Sequence, residues 1–153
     1  MKPHPRSGFT LIELLIVVAV IGLLTTISII VLNSARIRSR DAKRVSDIQV
    51  VRSALEQHWL ENAAYPNNSV AITLGTGNAV VLTSNGFQAT PSGTIYLPKV
   101  PTDPSAGGSY IYNSASPTVG YTIQLTTEGT TVYGPKGTYY AHSNGVDTDP
   151  TNK

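Results

Sequence analysis

The sequence predicts an α+β chain: one long N-terminal helix, half apolar and half amphipathic, packed against a small antiparallel β-sheet head. Three observations carry that prediction. Residues 9–32 hold one charged side chain, Glu13. No proline stands between Pro5 and Pro66, and Gly22 is the only glycine between Phe9 and Tyr65, so a single helix can run through most of that stretch. After residue 66 the texture changes to short β-rich pieces punctuated by Gly, Pro, Ser, Thr and Asn.

The apolar run comes first. As a helix, its roughly 24 residues reach about 36 Å, enough to cross a ~30 Å hydrocarbon core. A lone acid in such a span costs several kcal/mol unless something pairs it, which marks Glu13 as functional. Two plainer readings compete. In one, the run is an ordinary membrane anchor and Glu13 snorkels toward an interface. In the other, it is a secretory signal. The run exceeds the ~7–15 apolar residues of such a signal, and Asn33-Ser34-Ala35 makes a poor cleavage site.

The helix continues over residues 34–66. Val45, Ile48, Val51 or Arg52, Leu55 and Trp59 recur at three- and four-residue spacing, the mark of one buried face. Lys43 with Asp47, and Arg52 with Glu56, are i,i+4 pairs expected on the opposite face, each worth about 0.3 kcal/mol. Pro66 is expected to stop the helix, and Asn67-Asn68 to begin a loop.

The head, residues 67–146, reads as β-rich. Strands are expected within residues 80–83, 94–97, 110–112, 121–126 and 139–141. Alternation puts Tyr121, Ile123 and Leu125 on one face of a strand and Thr122, Gln124 and Thr126 on the other. Laid on the amphipathic half-helix, this sheet makes Leu55 and Trp59 core anchors. Residues 67–93 read as a loop with one strand at most, and residues 147–153 as a loose tail.

Charge is asymmetric along the chain. Residues 33–52 carry Arg36, Arg38, Arg40, Lys43, Arg44 and Arg52 against Asp41 and Asp47, whereas the rest of the chain toward its end is mildly acidic. With no cysteine, the head must hold by packing or with help from a metal. Catalysis finds little support. His4, His58 and His142 are far apart, and neither a Gly-x-Ser-x-Gly elbow nor a metal-spaced His pair occurs. His58 reads as a flank of the head, and the chain reads as a non-enzyme.

The start of the chain, MKPHPRSG followed by Phe9 and an acid four positions further on, resembles the type IV prepilin signal. Ala54-Leu55, Trp59, Glu61-Asn62 and Tyr65-Pro66 are similar to the helix end of the major pseudopilins of type II secretion. VPTDP at residues 100–104, followed by Tyr110-Ile111-Tyr112, resembles their loop-then-strand segment. One departure stands out: many of these proteins have proline where this chain has Ile30.

The resemblance implies a structural subunit of a pilus or of a secretion pseudopilus. Residues 1–8 would be a leader cut after Gly8 by a prepilin peptidase that also methylates the new amino terminus, Phe9. Residues 9–33 would form the membrane and filament-core helix. Glu13 would promote assembly by meeting the Phe9 amino group of a neighbouring subunit, since a buried carboxylate is tolerable beside a cation. Other subunits, an assembly ATPase and a platform membrane protein would be the partners. The positive-inside count, Lys2 and Arg6 before the span against five basic residues soon after it, argues for the reverse topology. The peptidase of this family works at the cytoplasmic face, however, which implies a single pass through the cytoplasmic membrane with the head outside. The subunit would then enter an extracellular pilus or periplasmic pseudopilus.

Two further expectations follow. Short-headed pseudopilins hold calcium near the chain end, and Asp147 and Asp149, two apart beyond Gly145, are the candidate ligands, weighed against a solvated tail. A minor pilin for DNA uptake is the alternative function, with the Arg36-to-Arg44 cluster as its phosphate contact. That cluster directly follows the apolar span, where lipid headgroups and the acidic heads of neighbours are the favoured contacts over DNA.

Overall fold

The computed structural model describes residues 8–151, so the expected leader, apart from Gly8, lies outside the described residues. The chain divides into two compact units at Arg36/Ile37. One helix, α1, runs from Leu11 to Asn62. Its start is a capping box: Thr10 Oγ1 accepts the Glu13 N–H at 3.3 Å, and Glu13 Oε2 accepts the Thr10 N–H at 2.9 Å.

In the first unit every described residue is exposed. Its helix is long and apolar enough to cross a membrane. Its hydroxyls bond back to the helix: Thr25 to the Ile21 carbonyl at 2.7 Å, Thr26 to Leu23 at 2.8 Å and Ser28 to Leu24 at 2.8 Å. These three hydroxyls therefore do not depend on water, which suits residues 25–28 to lipid or to a sheath of other helices.

The second unit packs the rest of α1 against eight strands: β1 (Asn68–Thr73), β2 (Val81–Thr83), β3 (Gly86–Gln88), β4 (Ile95–Leu97), β5 (Ile111–Ser114), β6 (Thr122–Thr126), β7 (Thr138–His142) and β8 (Gly145–Asp147). They form a five-stranded sheet, ordered β1-β5-β6-β7-β8, and a three-stranded sheet, β3-β2-β4. All the pairings are antiparallel, as in Tyr112 opposite Ile123 and Ile123 opposite Ala141. The α+β class is as the sequence predicts.

The core joins Ile48, Val51, Ala54 and Leu55 of α1 to Tyr110, Tyr112, Tyr121, Ile123 and Leu125 of the large sheet and to Leu82 and Leu97 of the small one. Leu55 is fully buried, whereas Trp59 is only partly so, its ring 4.7 Å from that of Tyr65. Tyr121, just before β6, and Ile123 and Leu125 within it are all at 0% exposure, as the alternation predicts, whereas Thr122 on the opposite face is buried as well. Each buried phenol finds an acceptor: Tyr112 donates to the Pro66 carbonyl at 2.8 Å and Tyr110 to Asp47 Oδ2 at 3.2 Å. Burial pushes both hydroxyls well above the usual tyrosine range.

Several expectations shift. The helix ends at Asn62, a turn before Pro66, because Ala63 takes a left-handed conformation (φ 51°) that closes it. His58 secures that end: it is buried, with Nδ1 2.7 Å from the Ala64 carbonyl. Residues 67–93 hold three strands rather than one at most. The expected tail begins inside β8, which pairs with β7 through Ala141 opposite Val146. Lys43 does meet Asp47 at 2.9 Å, but Asp47 is buried rather than on the outer face. Arg52 donates to the Ser143 carbonyl at 3.2 Å.

Candidate functional site

Two regions carry chemistry. The first is the start of α1. Gly8 is exposed, and a Cβ there would meet nothing within 4 Å, so the fold itself does not require this glycine. Phe9 is 85% exposed, and the apolar side chains from Leu11 to Leu32 stand clear of any partner within the unit. Glu13 Oε2 also accepts the Thr10 hydroxyl at 2.8 Å. The carboxylate is therefore already answered by two donors of its own chain. Its cost in an apolar setting is smaller than that of the bare acid the composition implied.

The second is a charged lock inside the head. Arg44 is 2% exposed. Its Nε and Nη2 grip the two oxygens of Asp103 at 2.8 and 3.0 Å. Its Nη1 meets Asp41 at 2.5 Å, and its Nη2 also reaches Glu128 at 2.7 Å and Ser105 Oγ at 2.8 Å. Arg40 clamps Glu128 from the other side through Nε at 2.8 Å and through Nη2. Asp41 in turn accepts the N–H groups of Glu128 at 3.0 Å and Gly129 at 2.7 Å. Nearly every donor and acceptor of the cluster is used, the condition under which a buried charge is tolerated.

The protonation states follow from these bonds. The Asp103 bond raises Arg44 far above the ordinary guanidinium value, against the opposing effect of burial. Burial pushes Asp103 up, but the hydrogen bonds from Arg44 and Ser105 outweigh it and hold its carboxyl below the usual range. Arg40, and then Arg44, bring Glu128 down to about 2. The cluster staples the 101–108 loop and the 127–129 turn to α1. Gly108 is required there, because a Cβ would strike the Asp103 carboxylate.

Sequence reasoning counted Arg40 and Arg44 in an exposed basic collar. With Arg44 buried and Arg40 bound to Glu128, the collar that remains on the surface is Arg36, Arg38 and Lys43. That weakens the phosphate contact on which the DNA alternative depended. Periodicity held the missed signal: Asp41, Arg44, Ile48, Val51, Leu55 and His58 continue one three-four spacing, and all six are buried.

The calcium candidates sit elsewhere. Asp147 Oδ1 lies 3.0 Å from His142 Nε2 and accepts the Asp149 N–H at 2.8 Å. Asp149 Oδ1 accepts the N–H and hydroxyl of Thr151 at 2.9 and 2.8 Å. Among the described residues no group of three or more His, Cys, Asp or Glu side chains is placed to hold a metal. Two carboxylates engaged in local turns do not fit an ion that takes six to eight oxygens.

An apolar helix long enough to cross a membrane, opened by a capping box around one acid and leading into a β-rich head, has the make-up of an anchor followed by a globular head. Comparison with known proteins agrees. Residues 3–29 match the family model described as the prokaryotic N-terminal methylation motif. The chain is 31% identical over 116 residues to the type II secretion system core protein G of Pseudomonas aeruginosa, covering 73% of this chain and 76% of that protein. It is 33% identical over 66 residues to the Aeromonas hydrophila core protein G, covering 43% of this chain and 46% of that one. A Neisseria meningitidis fimbrial protein is 25% identical over 75 residues, 49% of this chain and 44% of the protein. No solved structure matches. The chain belongs to the type IV pilin-like family, whose members here are pilins and type II secretion pseudopilins.

Proposed function

We propose that this subunit is cut after Gly8 by a membrane prepilin peptidase, methylated on the Phe9 amino group, and drawn from the membrane into a helical homopolymer through α1. The observation that carries this reading is the exposure of every described residue up to Arg36, on a helix that is apolar from Leu11 to Leu32. Apolar surface of that extent needs cover, which lipid provides before assembly and the same helix of other copies afterwards. Before assembly the chain is a single-pass protein of the cytoplasmic membrane with its head outside; afterwards it lies in a pilus or a periplasmic pseudopilus. An assembly ATPase and a platform membrane protein supply the work of extraction.

Glu13 acts in this reading as the acid that receives the Phe9 amino group of the next subunit. One oxygen is held by Thr10, which leaves the other to accept the incoming cation. The capping box keeps the carboxylate at the end of the helix near its own Phe9, where a neighbouring amino terminus can reach it. The reading is tested by mass spectrometry of the amino terminus in membrane and sheared-filament fractions. Methylated Phe9 is expected in both. A membrane form that retains Met1 overturns the processing, and filament fractions that lack the chain overturn assembly.

A further inference from the structure

Each unit of this chain carries one acid and one arginine at the same distance along α1. In the first unit they are Glu13 and Arg36; in the second, Arg38 and Glu61. All four are exposed, and the spacing is 23 residues in both. At ~1.5 Å per residue that is about 34 Å. The order of charge is reversed between the units, acid before base in the first and base before acid in the second.

Among the described residues Arg36 and Arg38 make no hydrogen bond or ion pair. Glu61 accepts the Tyr96 hydroxyl at 2.6 Å through Oε2 and meets no cation of its own chain among the described residues. Both ends of the second pair are therefore open to another molecule.

Direction decides which offset works. At about 100° per residue, 23 residues turn a side chain by about 140°. Two copies side by side in the same orientation, shifted by that length, hold the members of each pair at one height and within about 40° of face to face.

We infer that neighbouring copies of this chain dock with a 23-residue stagger, Glu13 of the lifted copy against Arg36 of the lower one and Arg38 of the lifted copy against Glu61 of the lower one. The inference rests on the filament reading and adds to it a second neighbour and a register. The shift carries Glu13 past the apolar run of the lower copy, which ends at Leu32, to the basic collar just beyond it. Charge complementarity of this kind selects register and rejects wrong ones more than it adds affinity. The same logic explains the collar: Arg36 and Arg38 serve two neighbours, one below and one above.

The test uses full-length chain in cells that make no other copy, with sheared-filament yield measured against membrane-fraction amount. Arg38→Glu and Glu61→Arg are each expected to lower filament yield about tenfold with membrane amounts unchanged, and the double reversal to restore it to within about twofold. A double reversal no better than the worse single variant overturns the stagger. Because the chain has no cysteine, Arg38→Cys combined with Glu61→Cys gives a second readout. Oxidised filaments of that variant should yield a covalent ladder longer than a dimer, and filaments that yield none count against the pairing. Absence of filaments even from the unaltered chain would overturn the filament reading, and this inference with it.

Discussion

Arg44 and Asp103, 59 residues apart in the chain, meet in a two-pronged ion pair with both side chains 2% exposed. The pair fixes the 100–104 segment against α1 without a disulfide. Its stability consequence is asymmetric. Replacing a buried cluster by apolar groups can be neutral, whereas removing one member strands the others. Arg44→Met leaves the Asp41, Asp103 and Glu128 carboxylates converging without their central cation. Residues 37–153 carrying it should lose about 3–5 kcal/mol in urea unfolding. Arg44→Lys should recover little, because a point charge cannot bridge three carboxylates as a planar fork does. A loss under about 1 kcal/mol would show that the cluster is not the staple described.

Acid should open the same lock. The Glu128 carboxyl is depressed from 4.5 to about 2 by its arginines, and Asp103 is depressed as well. A group with a lowered folded pKa contributes stability that is present above its unfolded value and lost as pH falls through the folded one. The melting temperature of the head should therefore hold down to about pH 5 and drop steadily between about pH 4.5 and 2. Glu128→Gln should flatten part of that drop. An identical acid profile for the variant would remove Glu128 from the account.

Core packing separates two positions that the sequence treats alike. Leu55 is fully buried and Trp59 only partly, although both were expected to be anchors. Leu55→Ala should cost about 2–5 kcal/mol of head stability. Trp59→Ala should cost less than the ~3–5 kcal/mol of a fully buried aromatic, because its ring covers Tyr65 from one side. Equal costs would mean that Trp59 is sequestered more deeply than its exposure indicates.

Much of this fold was legible because its signals are periodic. The apolar run, the Ile48-to-Leu55 face and the alternation at Tyr121, Ile123 and Leu125 need no knowledge of distant partners. Strands β1, β3 and β8 were not legible: β1 is an edge strand with its register shifted between Asn68 and Ile72, and the other two open on a glycine, with Asp147 closing β8, residue types depleted in strands. The charged lock was hidden for another reason. Asp41 and Arg44 lie on the buried face by spacing, but charged residues default to the surface unless their partners are known. Those partners, Asp103 and Glu128, come from loops 59 and 84 residues away from Arg44. The Thr10–Glu13 capping box was missed as well, although T-x-x-E before an apolar run carries its signal.

Processing should depend on Gly8 through the peptidase and not through the fold. A side chain at Gly8 meets nothing within 4 Å, so Gly8→Val leaves the structure undisturbed. The expected result is a membrane protein with its eight-residue leader still attached. A mature amino terminus at Phe9 in that variant, seen by mass spectrometry, would move the cut away from Gly8 as the deciding residue.

Glu13 does two jobs in this account, and they can be separated. As the N3 residue of the capping box it secures the helix start, a task glutamine can perform as well. As an acid it would, on the proposed function, answer the amino group of a neighbour, which glutamine cannot. Glu13→Gln should therefore be cut, methylated and inserted normally, yet enter filaments poorly. The amino terminus left unpaired among apolar helices costs roughly 3–5 kcal/mol, and each ~1.4 kcal/mol is tenfold in an equilibrium, so the loss of filament should exceed tenfold. Thr10→Val makes the opposite cut: it keeps the charge and removes the hydroxyl cap, at about 1 kcal/mol of helix stability, and should lower filament yield much less. The measurement is sheared-filament yield against membrane amount in cells making only the variant. Full yield from Glu13→Gln together with a deficit in Thr10→Val would assign the carboxylate to the helix start alone and end its role as a charge partner.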